Sequence, residues 1–151
     1  MTVVRPARPE DAEGLSAVAH AAFSPYIGRI GDLEPWPMRV DYAEKVALGH
    51  TWVAEDDGEV VGLLVLEPHQ DHLVLDIIGV APAYHRTGLG TRLLDVADEQ
   101  ARAMGLPEVR LYTNVVMTEN LAYYPRHGYV ETHRKQVGPY HRVFFTKALA
   151  G

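Results

Sequence analysis

Apolar positions along this chain change their period several times, and each change marks an element. "TVVRPA" near the start is a run of β-formers that predicts a short strand. In "PEDAEGLSAVAHAAF" Leu15, Val18, Ala19, Ala22 and Phe23 recur at helical spacing, with Pro9 suited to a first helical position. "SPYIGRIGDLEPWP", rich in Pro and Gly, predicts an irregular loop, and a second helix follows in "MRVDYAEKVALG". "HTWVAEDDGEVVGLLVLEP" predicts two strands around an Asp57-Gly58 hairpin turn. "HLVLDIIGVA" predicts a third strand, apolar enough to be central in a sheet. Helical spacing returns from Gly88 to about Met104, and Gly105 and Pro107 end it. "EVRLYTN" predicts a strand, "MTENLAYYPRH" a short helix, and "YVETHRKQV" with "YHRVFFTKAL" a closing pair of strands. The order β-α-α-β-β-β-α-β-α-β-β is that of a three-layer α/β fold around a mixed sheet.

A length of 151 residues suits one domain over residues 1–151, with no linker, repeat or low-complexity segment. Hydrophobic residues at 47% and charged residues at 23% are ordinary for a globular chain. The start has no apolar leader core and no later run reaches membrane-spanning length, so a cytoplasmic location without a membrane partner is expected. The absence of cysteine excludes disulfides, thiolate metal sites and a cysteine acyl-enzyme, and the only serines are Ser16 and Ser24. A net charge of −6 argues against a nucleic-acid partner held by a broad basic face. A small anionic ligand needs a local positive site instead, and a homodimer is the default oligomer.

One stretch offers such a site. In "GVAPAYHRTGLGTRLLDVADEQARAMG" a strand hands over to a helix through Gly88 and Gly90. The first turn of a helix leaves backbone N–H groups without partners, glycines let a ligand approach them, and the helix dipole attracts negative charge. Together these can cradle a phosphate, with Arg86, Thr87, Thr91 and Arg92 as further donors. The plainer alternative is that both glycines only permit a tight turn. A dinucleotide fingerprint needs a third glycine at position 93, where Leu93 stands, and no Gly-Lys-Ser/Thr triplet exists for a Walker loop.

"V-A-P-A-Y-H-R-T-G-L-G" resembles the acetyl-CoA signature of the GNAT superfamily of N-acetyltransferases, Arg/Gln-x-x-G-x-G/A preceded by Val-x-Pro. Val80, Pro82, Gly88 and Gly90 fall in register, while His85 replaces the Arg/Gln, with Arg86 beside it. The element order also matches that family over nearly the full chain. The resemblance implies acetyl-CoA as co-substrate, its diphosphate held by the backbone amides of residues 86–91: Arg86, Thr87, Gly88, Leu89, Gly90 and Thr91, next to His85. It also implies a strand that splays from its neighbour, so that the backbone of Ile78 and Val80 pairs with the pantetheine arm and an amide stabilises the oxyanion. Gly79 between them suits a close backbone approach.

"MTENLAYYPRHGYVE" resembles the later motif of the same family, a helix carrying a tyrosine four residues before Gly-Phe/Tyr. Tyr124 stands at that spacing, which implies a phenol that protonates the departing thiolate; a free phenol titrates near 10 and stays protonated at neutral pH. The alternative is that Tyr123 and Tyr124 are core aromatics, a role that suits Tyr123 best. The family's asparagine seven residues earlier is Met117 here, and Asn120, one turn on, is the substitute cofactor contact. Pro125 removes a hydrogen bond from the helix's last turn.

An ammonium must lose a proton before it attacks. The family's strand glutamate corresponds to Tyr112. Asp76, an acid in the apolar run "LVLDIIGV", is the candidate base, with a structural carboxylate as the alternative. Glu67 is second, and ordered water can replace either. His69 and His72 lack a ligand set, so no metal is expected. Tyr26, Trp36, Met38, Asp41 and Tyr42, with Asp32 and Glu34, form an aromatic and acidic segment suited to an amine acceptor; Trp36 and Met38 equally suit a plug beneath the loop.

These observations favour direct transfer from acetyl-CoA to a small-molecule or peptide amine in a ternary complex. A non-catalytic acyl-CoA binding or sensor module on the same fold is the alternative, and a nucleotide-binding α/β domain is the third.

Overall fold

A computed structural model describes residues 1–30 and 34–149. The elements follow the order β1 (Thr2–Pro6), α1 (Ala12–Phe23), α2 (Tyr42–Ala47), β2 (Thr51–Asp56), β3 (Glu59–Pro68), β4 (Leu73–Val80), α3 (Leu89–Ala103), β5 (Glu108–Asn114), α4 (Thr118–Tyr123), β6 (Val130–Val137) and β7 (Tyr140–Ala148). Seven strands hydrogen-bond in the order β1-β2-β3-β4-β5-β7-β6, so the apolar strand β4 is central. The β4–β5 ladder is parallel, while β1–β2, β2–β3, β5–β7 and β6–β7 are antiparallel. No described helix is long and apolar enough to cross a membrane.

The residues fall into two compact units, Met1–Leu66 with Ile77–Val96, and Glu67–Asp76 with the chain from Ala97 onward. In the first, the β2–β3 hairpin turns on Asp57 and Gly58 at φ 50° and 82°, the left-handed pair that matches strand twist. A bulge after Ala54 leaves Val61 outside the pairing, and the Val61 carbonyl accepts from Ala81 N–H at 2.9 Å. Strand alternation then divides the apolar residues between two faces. Val53, Leu63, Val65 and Ile77 pack with Leu15, Val18 and Ala19 of α1 and Tyr42 and Val46 of α2. Ala54 and Val61 instead meet Leu89 at the start of α3. Helices on opposite faces of the strands give the three layers. An ion-pair clamp closes the edge: Arg5 donates to both Asp11 oxygens at 2.8 and 3.0 Å and to Glu55 at 2.9 Å. Those bonds hold the buried Asp11 carboxyl below the usual carboxylate range.

Two described stretches between α1 and α2 are regular where an irregular loop was expected. Tight helical turns occupy Ser24–Ile30 and Trp36–Arg39. Prolines at 25, 35 and 37 preset the φ angles of such turns, so a segment dense in helix breakers still winds locally. The second helix is correspondingly shorter than its pattern, beginning at Tyr42, where the Asp41 side chain caps it by accepting from Glu44 N–H at 3.2 Å.

In the second unit Val109, Leu111, Val143 and Phe145 are buried. Every residue of β6 is exposed, and its sequence VETHRKQV sets polar and charged side chains along a sheet edge, which discourages edge-to-edge pairing. The buried Asp98 of α3 accepts from Lys147 Nζ of β7 at 2.6 Å. Its other oxygen and the buried Tyr129 hydroxyl have no partner among the described residues. Burial, then the Asp98 charge, pushes the Tyr129 phenol well above its ordinary range.

Candidate functional site

The turn between β4 and α3 presents its backbone outward. Tyr84 N–H reaches Ala81 O at 2.8 Å and His85 N–H reaches Pro82 O at 3.2 Å. Beyond them the first helical bond runs from Arg92 N–H to Gly88 O at 3.1 Å. The amides of Leu89, Gly90 and Thr91 belong to the partnerless first turn of α3, and no described hydrogen bond uses those of Arg86, Thr87 or Gly88. Six successive donors are therefore unused within the described structure. Arg86 at φ 65° and Gly88 at φ 84° turn the chain through left-handed conformations, the geometry that gathers neighbouring amides into an anion nest. For Arg86, which carries a Cβ, this conformation costs about 1 kcal/mol. A Cβ at Gly88 meets nothing within 4 Å, so its glycine is required by φ alone. Gly88→Ala is expected to lower stability by about 1 kcal/mol in chemical denaturation as the turn relaxes.

Several side chains here serve the turn itself. Thr87 Oγ1 donates to Tyr84 O at 2.6 Å, and Arg92 donates to Thr2 O at 3.1 Å, so both have work within the fold. Tyr84, which sequence reading passed over, anchors the turn by donating to Asp56 Oδ2 at 2.5 Å; that bond lowers the carboxyl's pKa and raises the phenol's. The side chain of Leu89 is buried, so only its amide faces outward, whereas His85, Arg86, Thr87, Gly88 and Thr91 are exposed and Gly90 is half-buried.

Burial alternates along β4, with Leu73, Leu75, Ile77 and Gly79 buried and Val74, Asp76, Ile78 and Val80 half-buried. Asp76, Ile78 and Val80 thus share one face of the strand. The β4–β5 register holds two pairs, Leu73↔Val109 and Val74↔Arg110, so the later backbone of β4 lies beyond that ladder. His85 Nε2 lies 3.2 Å from Val80 O, where an Nε2–H tautomer donates. Gly79 has a packing reason of its own. A Cβ there would stand 3.1 Å from Leu63 Cδ2 and 3.3 Å from Phe23 Cε2, so core side chains make the close approach.

In the other unit, Tyr124 is the C-cap of α4. Its amide donates to Asn120 O at 3.1 Å, and its carbonyl accepts from the amides of His127 and Tyr129 at 2.9 and 3.2 Å. The ring is 7% exposed and lies edge-on to Tyr129 at 5.7 Å, with Phe145 at 5.9 Å. Tyr123 is the less buried of the pair, against His127 at 4.4 Å, because adjacent helix positions diverge by about 100°. Asn120 Nδ2 donates to Thr113 Oγ1 at 3.0 Å, and buried Met117 accepts from Thr113 Oγ1 at 3.5 Å.

Tyr42 is buried and donates to Pro37 O at 2.6 Å, and Trp36 packs against the same core, so both are committed to the fold beneath the segment. Met38 and Tyr26 are half-buried, with the Arg29 guanidinium 4.9 Å over the Tyr26 ring. Glu34 is exposed, and Asp32 lies outside the described residues. Glu67 pairs with His69 at 3.0 Å, and His69 stacks on His72 at 4.7 Å. Among the described residues no three His, Asp or Glu are grouped to hold a metal ion. Two further features escaped sequence reading: Asp98, whose only signal is an acid on the apolar stripe of α3, and Arg142, 4.2 Å over the Tyr112 ring.

A mycothiol acetyltransferase of Jonesia denitrificans is 34% identical over 135 residues, covering 82% of this chain and 41% of that protein. A probable N-acetyltransferase 14 of Xenopus tropicalis is 34% identical over 84 residues, 54% of this chain and 41% of that protein. The chain thus spans about two fifths of the length of these curated relatives. The solved PaiA N-acetyltransferase of Thermoplasma acidophilum, in complex with coenzyme A, has the same fold, with a TM-score of 0.84 at 18% identity over 99% of both chains. A GCN5-related N-acetyltransferase of Rhodopseudomonas palustris gives 0.79 at 27% identity, over 99% of this chain and 96% of that one. The model of the acetyltransferase (GNAT) family matches residues 15–129, a span that holds the glycine turn, the strand before it and the tyrosine helix, and the chain belongs to that family.

Proposed function

We propose that this chain is an N-acetyltransferase that moves the acetyl group of acetyl-CoA to a primary amine by direct attack. The observation that carries this reading is the row of six unused amides at residues 86–91, on a turn with two left-handed residues at the head of a 15-residue helix. A row of convergent N–H donors suits a diphosphate, whose oxygens are acceptors only. Arg86, exposed beside the turn, adds charge to it.

In this reading the backbone of Ile78 and Val80 binds the pantetheine arm, and an amide of that strand holds the oxyanion that forms when nitrogen attacks the thioester carbon. Asp76, or water, takes the proton that the ammonium must lose. Tyr124 gives its phenolic proton to sulfur as the carbon–sulfur bond breaks. Acetyl-CoA supplies the activated acetyl group, and no covalent acyl-enzyme is needed.

The burial of Tyr124 among Tyr129 and Phe145 favours a second reading, a non-catalytic acyl-CoA binding module on the same scaffold. Calorimetric titration with coenzyme A, alongside acetyl-CoA turnover on an amine panel read as free thiol, separates the two. Binding with turnover supports the enzyme, binding without turnover on any amine supports the module, and no binding overturns both.

A further inference from the structure

Charge is unevenly distributed along this acidic chain. Residues 126–149 contain five of its 14 lysines and arginines and one of its 20 acids, Glu131. Within the second unit the β6–β7 hairpin and Val115, from the connection between β5 and α4, enclose a groove of about 280 Å³. Four of its six lining side chains, Arg134, Lys135, His141 and Arg142, are basic; Val115 and Gln136 complete it. None is acidic. Arg134 is occupied by Glu131 at 3.0 Å. Among the described residues, Lys135 and Arg142 make no ion pair.

Lys135 and Arg142 stand directly opposite each other in the β6–β7 register. Like charges in that relation destabilise an antiparallel pair, so the arrangement is unfavourable until an anion lies between them. Arg142 is also held in place: its guanidinium sits 4.2 Å over the Tyr112 ring and 5.7 Å from the Tyr140 ring centroid. A guanidinium held over an aromatic face can still offer N–H groups to a planar or tetrahedral oxyanion. His141 adds a ring whose Nε2 lies 3.1 Å from Gln136 Oε1. The volume lies just under the lower end of small-molecule sites, room for an anionic group and the atoms next to it.

We propose that this groove binds the carboxylate or phosphate group of an anionic amine acceptor, with Arg142 and Lys135 as its principal contacts. The acceptor role rests on the acetyl-transfer reading above; the anion site does not. It adds a second recognition element to the acidic and aromatic segment at residues 26–42, which suits an amine on a partly apolar body. The connection that supplies Val115 leads into α4, the helix capped by Tyr124, so one short stretch of chain joins the groove to the proposed acid.

The test has two arms. In the first, thiol release is measured for matched amines, glycine against glycinamide and phosphoethanolamine against ethanolamine, with the wild type and with Lys135→Gln and Arg142→Gln. The anionic member of at least one pair should show a KM about tenfold lower, and each variant should remove that advantage while leaving the neutral amine unchanged. The pair that responds tells carboxylate from phosphate. Equal KM values within both pairs, or equal losses for charged and neutral amines, overturn the proposal. In the second arm, inorganic phosphate is titrated into the protein and followed by backbone amide NMR, which is independent of turnover. Shifts at residues 135, 136, 141 and 142 that vanish in Lys135→Gln support the site, and silence at those residues overturns it. Phosphate shifts there with no amine acetylated leave the anion site standing and sink the transferase reading alone. Lys135 is exposed, so its variant folds even if Arg142→Gln does not.

Discussion

Replacing Tyr124 with phenylalanine is expected to lower acetyl transfer by about 10²- to 10⁴-fold, the range a positioned general acid supplies. In the proposed reading coenzyme A binding should persist, because the six amides at residues 86–91 assigned to it are backbone groups in another part of the chain. The substitution removes one oxygen and keeps the ring that packs edge-on to Tyr129 and beside Phe145. Stability should therefore change by no more than about 1 kcal/mol, the net worth of a typical hydrogen bond. This separation of effects makes the result interpretable: a loss of turnover with unchanged melting and unchanged binding belongs to chemistry. Wild-type turnover in Tyr124→Phe would assign the residue to the aromatic cluster alone, and the leaving thiolate would then need another proton source.

The second large effect is on stability. Lys147 Nζ holds Asp98 Oδ2 at 2.6 Å, the Asp98 side chain is 8% exposed, and its other oxygen has no described partner. In Lys147→Met the carboxylate loses the one cation that pairs with it among the described residues, while staying buried. The expected loss is about 3 kcal/mol by chemical denaturation. For a chain of 151 residues that is a Tm fall of roughly 10 °C. The double variant Asp98→Leu with Lys147→Met should recover most of it, because two apolar side chains need no compensation for lost hydration. Recovery shows that the pair's removal, and not the lost lysine stem, carries the effect. An unchanged melting point in Lys147→Met would mean that water reaches Asp98.

Elements whose causes are local were legible. The 3.6-residue spacing of Leu15, Val18 and Ala19 lies in α1, and Asp57-Gly58 makes the left-handed hairpin turn that such a pair favours. The motif around Gly88 and Gly90 marked its junction, since a glycine at φ 84° leaves a signature within four residues. The loop after α1 was misread for a related reason. Proline suppresses long helices, and short tight turns built on it look like irregular chain in a composition-based reading.

Burial of individual side chains was less legible. Tyr123 and Tyr124 are identical in type and adjacent, so only the direction in which α4 presents each one makes Tyr124 the more buried. Tyr42 reads as part of an aromatic wall, yet its phenol reaches Pro37 O and its ring joins the core of α1 and α2. Gly79 reads as a backbone contact point, and the packing of Leu63 and Phe23 against it, which also requires glycine, was not legible.

The sequence by itself therefore determined the element order, the turns and the family, because periodicity, glycine and proline act on the few residues around them. Tertiary structure alone decided that Asp98 meets Lys147, 49 positions away, and that Lys135 faces Arg142 across a hairpin. Charge pairing and burial depend on which distant segments the sheet brings side by side, and no local period encodes that.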